Sequence, residues 1–302
     1  MSLTEVRPEK AASTHLRRSG TTGGRWWREV SWRYLVALVM IVICVFPLLY
    51  AISASLKPGS TLTGTTHLFQ EFSFDNYANL DERGFWQWLQ NSLIVCTVTA
   101  IGTVLMGAAA AYAFSRFRFK GREKSLTGLL LAQMFPQTLA FVAIFLLLLS
   151  ISDVFPSLGL DHLLGLICVY LGGALGVNTF LMYGFFNSVP RELDEAAKID
   201  GATHAQIYWG IILRLVTPIL AVVGLLSFIS AFSDFLIAKV VLQHQENWTV
   251  AVGLYTLAAD ERTAPWGVFA AGAVVAAVPI VALFMALQKY IVGGLTAGSV
   301  KG

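Results

Sequence analysis

Charged residues are scarce in this sequence. Of its 302 residues only 13% are Asp, Glu, Lys or Arg, whereas 56% are hydrophobic, and the mean hydropathy is +0.67. A chain with so little charge cannot cover an apolar interior with a polar surface in water, so a water-soluble domain is excluded. Cysteine and histidine are also few: the three cysteines show no paired spacing, and the five histidines are scattered over five segments. Neither pattern predicts a metal site.

Sequence motifs for catalysis are missing as well. No G-x-x-x-x-G-K-[ST] phosphate loop occurs, which excludes a P-loop site for ATP on this chain. No cluster of Ser, His and Asp or of carboxylates predicts an acid, a base or a nucleophile, which disfavours an integral-membrane enzyme. We therefore predict no catalytic residue, no bound metal and no cofactor on this chain.

Long apolar runs fill most of the sequence. Six of them contain the roughly 20 apolar residues that a helix needs to cross a bilayer, at 32–55, 88–114, 126–151, 163–186, 215–242 and 266–292. The sequence therefore predicts an all-α integral membrane protein with six transmembrane helices. A cleaved signal peptide is the alternative interpretation of the first run, but that run is nearer to the length of a span than to that of a signal core.

Lys and Arg are distributed unevenly between the two sides of this bundle. Of the 21 basic residues, the second side holds only Lys57, Arg83, Lys239 and Arg262. Basic residues near span ends are retained in the cytoplasm, so both termini are predicted to be cytoplasmic. The net charge of +3 reflects this topology and indicates no nucleic-acid partner. We divide the chain into a disordered basic tail at 1–31, a six-helix domain at 32–292 with external loops at 56–87 and 243–265 and a cytoplasmic loop at 187–214, and a cytoplasmic tail at 293–302.

Polar residues within the predicted spans are candidates for lining a solute pathway, because an ionisable group is costly to bury in hydrocarbon. The candidates are Gln133, Asn178 and Asp234. The alternative for Asp234 is a position at the outer interface, paired with Lys239 or with water. The small residues at 172–176 allow helix backbones to approach closely, within this chain or against another subunit.

One segment between the spans has a different composition. At 187–214 the sequence NSVPRELDEAAKIDGATHAQIYWGIILR is charged and helix-forming. The acidic residues at 192–195 favour a helix N-terminus, and Gly201 favours the end of that helix. Thr203 and Gln206 have capping-box spacing for a second helix that runs into the fifth span.

The first of these predicted helices has a small apolar face. Leu193, Ala196 and Ala197 share it at helical spacing, and Glu195 lies beside it. Such a face can seat in a groove of a partner while the carboxylate meets a basic residue there. A solvated cytoplasmic helix is the plain alternative, because Glu, Ala and Lys are strong helix formers.

The longer pattern is more specific. EAA at 195–197, DGA at 200–202, IIL at 211–213 and Pro218 resemble the EAA loop of the inner-membrane permease subunits of binding-protein-dependent ABC importers. This resemblance implies the type I importer permease fold, with ATP and Mg bound by a dimer of partner ATPase subunits. It implies ATPase coupling through Glu195, Ala196, Ala197, Asp200, Gly201 and Ala202.

Further stretches are similar to the maltose-type, MalG-like permeases among the carbohydrate importers. They are AYAFSR at 111–116, QMFP at 133–136, YLGG at 170–173, PILAVV at 218–223 and GLTAGSVKG at 294–302. The resemblance implies that the C-terminal tail reaches the ATPase dimer through Thr296, Gly298, Lys301 and Gly302. It implies contact with an external sugar-binding protein through Trp248, Tyr255, Asp260, Glu261 and Arg262. Interfacial anchoring is the alternative for Trp248.

The implied function is passage of maltose or maltodextrin between this chain and a homologous, MalF-like permease in the inner membrane, with the main sugar site on that partner. Trehalose, another oligosaccharide and glycerol phosphate stay open as substrates. An ion-coupled secondary transporter is the competing class, but it needs intramembrane ionisable residues and usually an internal repeat, and Asp234 alone supports it.

The sequence departs from the family pattern at one position in the loop. Family members commonly have Leu-Pro after the second loop helix, whereas here Leu213 is followed by Arg214. Arg214 can continue the helix and extend its charge to the headgroups. We therefore expect the bend between loop and span to be softer or differently placed.

Overall fold

The computed structural model describes residues 30–58, 69, 72–135, 137–259 and 264–299, without the side chains of 137, 138 and 292–299. Within these ranges the chain is helical and contains no β-strand, so the predicted all-α class is confirmed. The α-helices are α1 Ser31–Ser55, α2 Asp75–Glu82, α3 Phe85–Arg116, α4 Arg122–Gln133, α5 Phe141–Ser152, α6 Leu163–Ser188, α7 Glu192–Ile199, α8 His204–Ile207, α9 Leu213–Leu215, α10 Thr217–Ser233, α11 Leu236–Val241, α12 Val250–Ala258 and α13 Trp266–Ser299. The chain divides into two units, Met1–Tyr50 and Ala51–Gly302, and every contact below lies within the second.

Four helices are each long and apolar enough to cross a membrane, namely α1, α3, α6 and α13. They correspond to the first, second, fourth and sixth predicted spans. A bent pair, His204–Leu215 and Thr217–Ser233, passes the same test together and accounts for the fifth span, with an angle of 78° between its parts.

The third predicted span is not one helix. It consists of α4 and α5, of 12 residues each, and a helix of that length reaches only about 18 Å. The break falls around Pro136 in the sequence, where a missing N–H and a clash with the preceding residue oppose a continuous helix. Side chains of α5 such as Val142 and Leu146 are exposed, as expected for a helix that faces lipid.

Helix α3 is the central element, because it packs along both α6 and α10. Small residues allow the close approach: Ala108 and Ala111 of α3 are fully buried. On α6, a Cβ added at Gly176 would lie 2.1 Å from Cγ of Gln133, so a larger residue there would displace the Gln133 side chain. At Gly176, therefore, the close approach predicted for 172–176 is made within the chain, against α4.

Candidate functional site

The short charged helix predicted in the loop is α7. It ends at Gly201, whose φ of +81° lies in the left-handed region. The Gly201 N–H donates to Lys198 O at 3.0 Å, and the Ala202 N–H donates to Ala197 O at 2.9 Å. These two hydrogen bonds form a Schellman motif, which closes a helix C-terminus with glycine in the left-handed position. The predicted end of the helix is confirmed.

The second loop helix begins as predicted, at Thr203. The Thr203 N–H donates to Oε1 of Gln206 at 2.8 Å, and the Gln206 N–H donates to Oγ1 of Thr203 at 3.3 Å. After α8 the chain makes a π-helical turn at Tyr208–Ile212 and continues as α9. The helix thus runs through Arg214, and the 78° bend falls after it, at Val216, before α10. The bend is sharp and not soft.

A buried ion pair attaches α7 to the end of α3. Nε of Arg116 lies 2.6 Å from Oδ2 of Asp194, and only 5% and 9% of the two side chains are exposed. Arg116 also donates from Nη2 to Val189 O, and Arg191 donates from Nη2 to Ser115 O. No sequence motif indicates this pair, because its partners lie far apart in the chain and the position of Asp194 predicts only a charge at a helix N-terminus.

The inner side of α7 packs in an apolar cluster. Ala197 belongs to this cluster together with Ile207 and Ile212 of the loop, and with Tyr112 of α3 and Phe186 of α6. Of the three residues of the predicted apolar face, Ala197 is therefore buried, whereas Leu193 and Ala196 are exposed. Ala197 faces the chain's own core, because it lies one turn after Asp194 on the side held by Arg116.

The outer side of α7 is open. Leu193 is 41% exposed and Ile199 is 86% exposed. Glu195, Ala196 and Asp200 are exposed as well, and Gly201 lies at the exposed turn. The inner side of α7 is held by the Arg116–Asp194 pair. A partner protein can therefore bind to the exposed apolar and acidic side without a rearrangement of the helix.

The three polar residues predicted in separate spans line one cavity. Gln133, Asn178 and Asp234 all belong to the wall of a space of about 730 Å³ between α3, α5, α6 and α10. We call this space the polar cavity. Gln133 donates from Nε2 to Gly173 O at 2.6 Å, and Asn178 donates from Nδ2 to Ala174 O at 2.9 Å. Both amides are thereby fixed against α6.

Asp234 lies at a break in the fifth span. Helix α10 ends at Ser233, Asp234 itself is extended, and α11 starts two residues later. Its Oδ1 accepts hydrogen bonds from the N–H groups of Ile237 at 3.0 Å and Ala238 at 3.1 Å, and from the Tyr170 hydroxyl at 2.9 Å. The carboxylate thus caps α11 and ties it to α6.

Residues 103–296, more than half of the chain, match the protein family described as "Binding-protein-dependent transport system inner membrane component". The chain belongs to this family. It is a transport-system permease component and not an enzyme.

Several curated permeases are similar to this one over nearly their whole length. The galactooligosaccharides transport system permease protein GanQ of Bacillus subtilis is 41% identical over 273 residues, covering 89% of this chain and 94% of that protein. The maltodextrin transport system permease protein MdxG of Bacillus subtilis is 38% identical, with 89% and 95% covered. The maltose/maltodextrin transport system permease protein MalG of Escherichia coli is 37% identical, with 89% and 95% covered.

Chains of solved ABC transporter structures share the fold. A chain in the crystal structure of a bacterial ABC transporter that imports the acidic polysaccharide alginate matches with a TM-score of 0.74 at 24% identity, covering 88% of this chain and 98% of that chain. A chain of the bacterial alginate transporter in complex with an alginate pentasaccharide-bound periplasmic protein matches with a TM-score of 0.63 at 18% identity, with 88% and 96% covered. The predicted importer permease fold is confirmed.

The loop at 243–265, which is predicted to be external, is held at its start by hydrogen bonds to Asp161. Oδ1 of Asp161 accepts from the N–H groups of Gln243 at 2.8 Å and His244 at 2.9 Å, and its Oδ2 meets Nδ1 of His244. Burial opposes ionisation of Asp161, but the hydrogen bonds from His244 and Gln243 outweigh it and lower the pKa of the carboxyl. The stabilisation is therefore present above the ordinary carboxyl pKa of about 3.9 and is lost as the pH falls through the lowered value.

Two aromatic residues of this loop differ in exposure. Trp248 is partly buried, with its ring 5.9 Å from that of Trp88 and with the Lys239 ammonium 4.5 Å from its centroid. Lys239 therefore contacts Trp248, while Asp234 is held by Tyr170. Tyr255 is 53% exposed, so it is the more accessible of the two to a partner.

Some predicted contact residues of the permease cannot be placed. Asp260, Glu261 and Arg262 of the loop at 243–265 and Lys301 and Gly302 of the tail lie outside the described residues. Thr296 and Gly298 fall within α13, but their side chains are not described. Their contacts stay predictions.

Proposed function

We propose that this permease imports a maltose- or maltodextrin-type oligosaccharide and that α7 is its coupling helix to an ATPase. The observation that carries the proposal is the two-sided environment of α7. Its outer side exposes Leu193, Glu195 and Ile199, while its inner side is fixed to α3 through the buried Arg116–Asp194 pair. A helix with one free and one anchored side can pass a movement of its partner to the spans.

The proposed assembly contains a homologous, MalF-like permease, two ATPase subunits that bind ATP and Mg, and an external sugar-binding protein. The family description, binding-protein-dependent transport, supports the external partner. We expect Glu195 to meet a basic residue in a cleft of the ATPase, and Ala196, Asp200, Gly201 and Ala202 to complete the contact. We expect Tyr255 and the rest of loop 243–265 to meet the binding protein.

Both termini are proposed to be cytoplasmic, which places α7 on the side where ATP is available. The uneven distribution of Lys and Arg supports this orientation. The sugar would pass between the two permeases as closure of the ATPase dimer moves α7.

The substrate class is proposed from the relatives. Their names concern galactooligosaccharides, maltodextrin and maltose, all neutral sugars. Maltose or maltodextrin is the substrate we propose first, and trehalose, another oligosaccharide and glycerol phosphate are the alternatives to be tested beside it.

The experiment is co-expression and purification with the candidate ATPase, partner permease and binding protein, followed by measurement of ATP hydrolysis. We expect the ATPase to co-purify and the binding protein to stimulate hydrolysis with maltose or maltotriose more than with trehalose or glycerol phosphate. Glu195→Lys should lose the ATPase, whereas Glu123→Lys, an exposed carboxylate of α4, should retain it. A folded, membrane-inserted chain that never retains an ATPase would refute the proposal.

A further inference from the structure

The polar cavity of the permease holds more polar groups than the three that its sequence predicts. Its volume of about 730 Å³ falls in the range of about 300–1,000 Å³ that small-molecule sites occupy. Hydroxyl groups from three helices also line it, on Thr99, Thr103, Tyr170, Ser227 and Ser230. We propose that this cavity is a binding site for a neutral sugar, so that this subunit itself contacts the substrate. The proposal rests on the oligosaccharide import proposed above.

Three of these hydroxyl groups have no hydrogen-bond partner among the described residues. They are Oγ1 of Thr99, Oγ1 of Thr103 and Oγ of Ser227, all buried. Leaving a buried hydroxyl group unpaired is unfavourable, and a threonine in a helix commonly bonds to the carbonyl of the preceding turn instead. Thr99 and Thr103 lie one turn apart on α3 and thus share a face. The chain covers all three oxygen atoms, so we expect them to pair with the hydroxyl groups of a sugar only after the side chains that cover them move aside.

Asp234 adds the strongest acceptor in the wall. All three of its recorded hydrogen bonds end on Oδ1, from Tyr170, Ile237 and Ala238. Oδ2 has no hydrogen bond within the described parts of the chain. A carboxylate oxygen accepts a sugar hydroxyl in a charge-assisted hydrogen bond, which is stronger than a neutral one.

The charge of the wall selects against anions. Its residues include one carboxylate, Asp234, and no Lys, Arg or His. The nearest candidate in the sequence, Lys239, places its ammonium over Trp248. A phosphate ester or an acidic sugar would therefore face a negative charge in a low-dielectric space without a compensating cation. This argues for a neutral sugar and against glycerol phosphate at this site.

The rest of the cavity wall offers hydrogen-bonding groups for the hydroxyls of a sugar and apolar surface for its C–H groups. The amides of Gln133 and Asn178 each donate one N–H to α6 and keep a second N–H and a carbonyl oxygen for a ligand. Leu147, Leu148 and Ile151 of α5 add apolar surface to the wall, against which the C–H face of a sugar can pack. A mostly apolar wall with a few fixed polar groups is typical of ligand sites.

The test uses the complete complex in proteoliposomes, with maltose, maltotriose and a galactooligosaccharide as probes at saturating binding protein. Uptake is compared for the native chain, Asp234→Asn, and the double variant Thr99→Val with Thr103→Val. Asp234→Asn removes the charge but keeps a side-chain oxygen that can cap α11. Thr179→Val is the matched control, because its Oγ1 is also buried without a recorded partner while Thr179 is not in the cavity wall.

We expect the double variant to lower the initial uptake rate about tenfold, the factor that corresponds to losing hydrogen bonds to a ligand. Asp234→Asn should lower it at least as much, with ATPase co-purification unchanged, and Thr179→Val should stay within twofold of native. If Asp234→Asn fails to assemble, the double variant decides.

Native uptake by both variants would overturn the sugar site while leaving the import proposal intact. A native complex that transports none of the probes would instead count against the import proposal. Uptake that depends on a sodium gradient and loses that dependence in Asp234→Asn would assign the cavity to a cation and also overturn the sugar site.

Discussion

At the scale of single residues, the pair of Arg116 and Asp194 is the contact on which the position of α7 depends. Both side chains are almost fully buried and lie 2.6 Å apart. Breaking a buried pair by removing one partner leaves an uncompensated charge, which destabilises by about 3–5 kcal/mol. Because these residues join two helices that are distant in the sequence, the effect should appear in coupling as well as in stability.

We predict that Asp194→Ala lowers sugar uptake at least tenfold and lowers the thermal midpoint of the purified permease. Exchanging the charges, with Arg116→Asp and Asp194→Arg together, should restore part of both losses because the pair is re-formed in reverse. Radiolabelled uptake and a fluorescence-detected thermal shift measure the two effects. Arg118→Ala, an exposed arginine two residues away, is the control that should change neither. Native uptake and midpoint in Asp194→Ala would contradict the prediction.

Residue-scale features were predictable where they depend on close neighbours in the sequence. The end of α7 at Gly201 and the capping box of Thr203 with Gln206 are local hydrogen-bond patterns, and both were predicted. The inward position of Ala197 was not, because its side was decided by Arg116, which lies on another helix.

At the scale of elements, the left-handed turn at Gly201 fixes where α7 ends and where α8 begins. Gly201 has φ +81° and no atom within 4 Å of the position of an added Cβ. A substitution there is therefore strained through the backbone and not through a clash within the chain, at about 1–2 kcal/mol for an ordinary L-residue.

We predict that Gly201→Val lowers uptake severalfold, whereas Gly201→Asn keeps most of it because Asn adopts the left-handed conformation more readily. Gly184→Ala in α6 is the control: it also has open space at the Cβ position but has no positive φ, so uptake should be unchanged. Transport assays in vesicles with matched protein amounts distinguish the three. Equal uptake by the Val and Asn variants would show that the turn conformation does not matter for coupling.

Elements differed from their sequence prediction where the chain breaks inside an apolar run. Hydropathy alone cannot separate one span from two short helices, so 126–151 was predicted as continuous although α4 and α5 are distinct. The same holds for 215–242, which the extended backbone at Asp234 divides. The sharp bend at Val216 comes just before Pro218, which lies in the first turn of α10 and has no N–H with which to continue the loop helix. The sequence indicated only that the bend would differ from the family pattern.

At the scale of the whole molecule, the proposed orientation sets which surfaces meet which partners. The basic loop after α3 carries Arg118 on the proposed cytoplasmic side, and the outer loop carries Glu246 on the other. Both residues are exposed, so each is suitable for chemical labelling.

We predict that a membrane-impermeant maleimide labels Glu246→Cys in spheroplasts but labels Arg118→Cys only after permeabilisation. The background should lack the native thiols, since Cys44 and Cys168 are exposed on the chain and Cys96 is buried. Labelling followed by mass measurement gives the extent at each site. The reverse pattern would invert the proposed topology and place α7 away from ATP.

The polar cavity is also a feature of the whole molecule. Gln133, Asn178 and Asp234 were each predicted from their polarity within a span, but their meeting in one space required the packing of α4, α6 and α10. Thr99, Thr103 and Ser227 gave no signal at all, because threonine and serine are unremarkable in transmembrane helices until their hydroxyl groups prove to be buried without a partner.

The bend at Val216 has a mechanical consequence. Helix α10 begins there and runs for 17 residues to Ser233, about 25 Å, and Asp234 follows at its far end. The loop helices and α10 are therefore two helical segments that meet at Val216 at an angle of 78°. We expect a tilt of the loop helices about Val216 to tilt α10 as well and to displace the Asp234 carboxylate at its far end. On the proposed mechanism, we expect each stroke of the ATPase to reach the sugar site along α10 as well as through the Arg116–Asp194 pair.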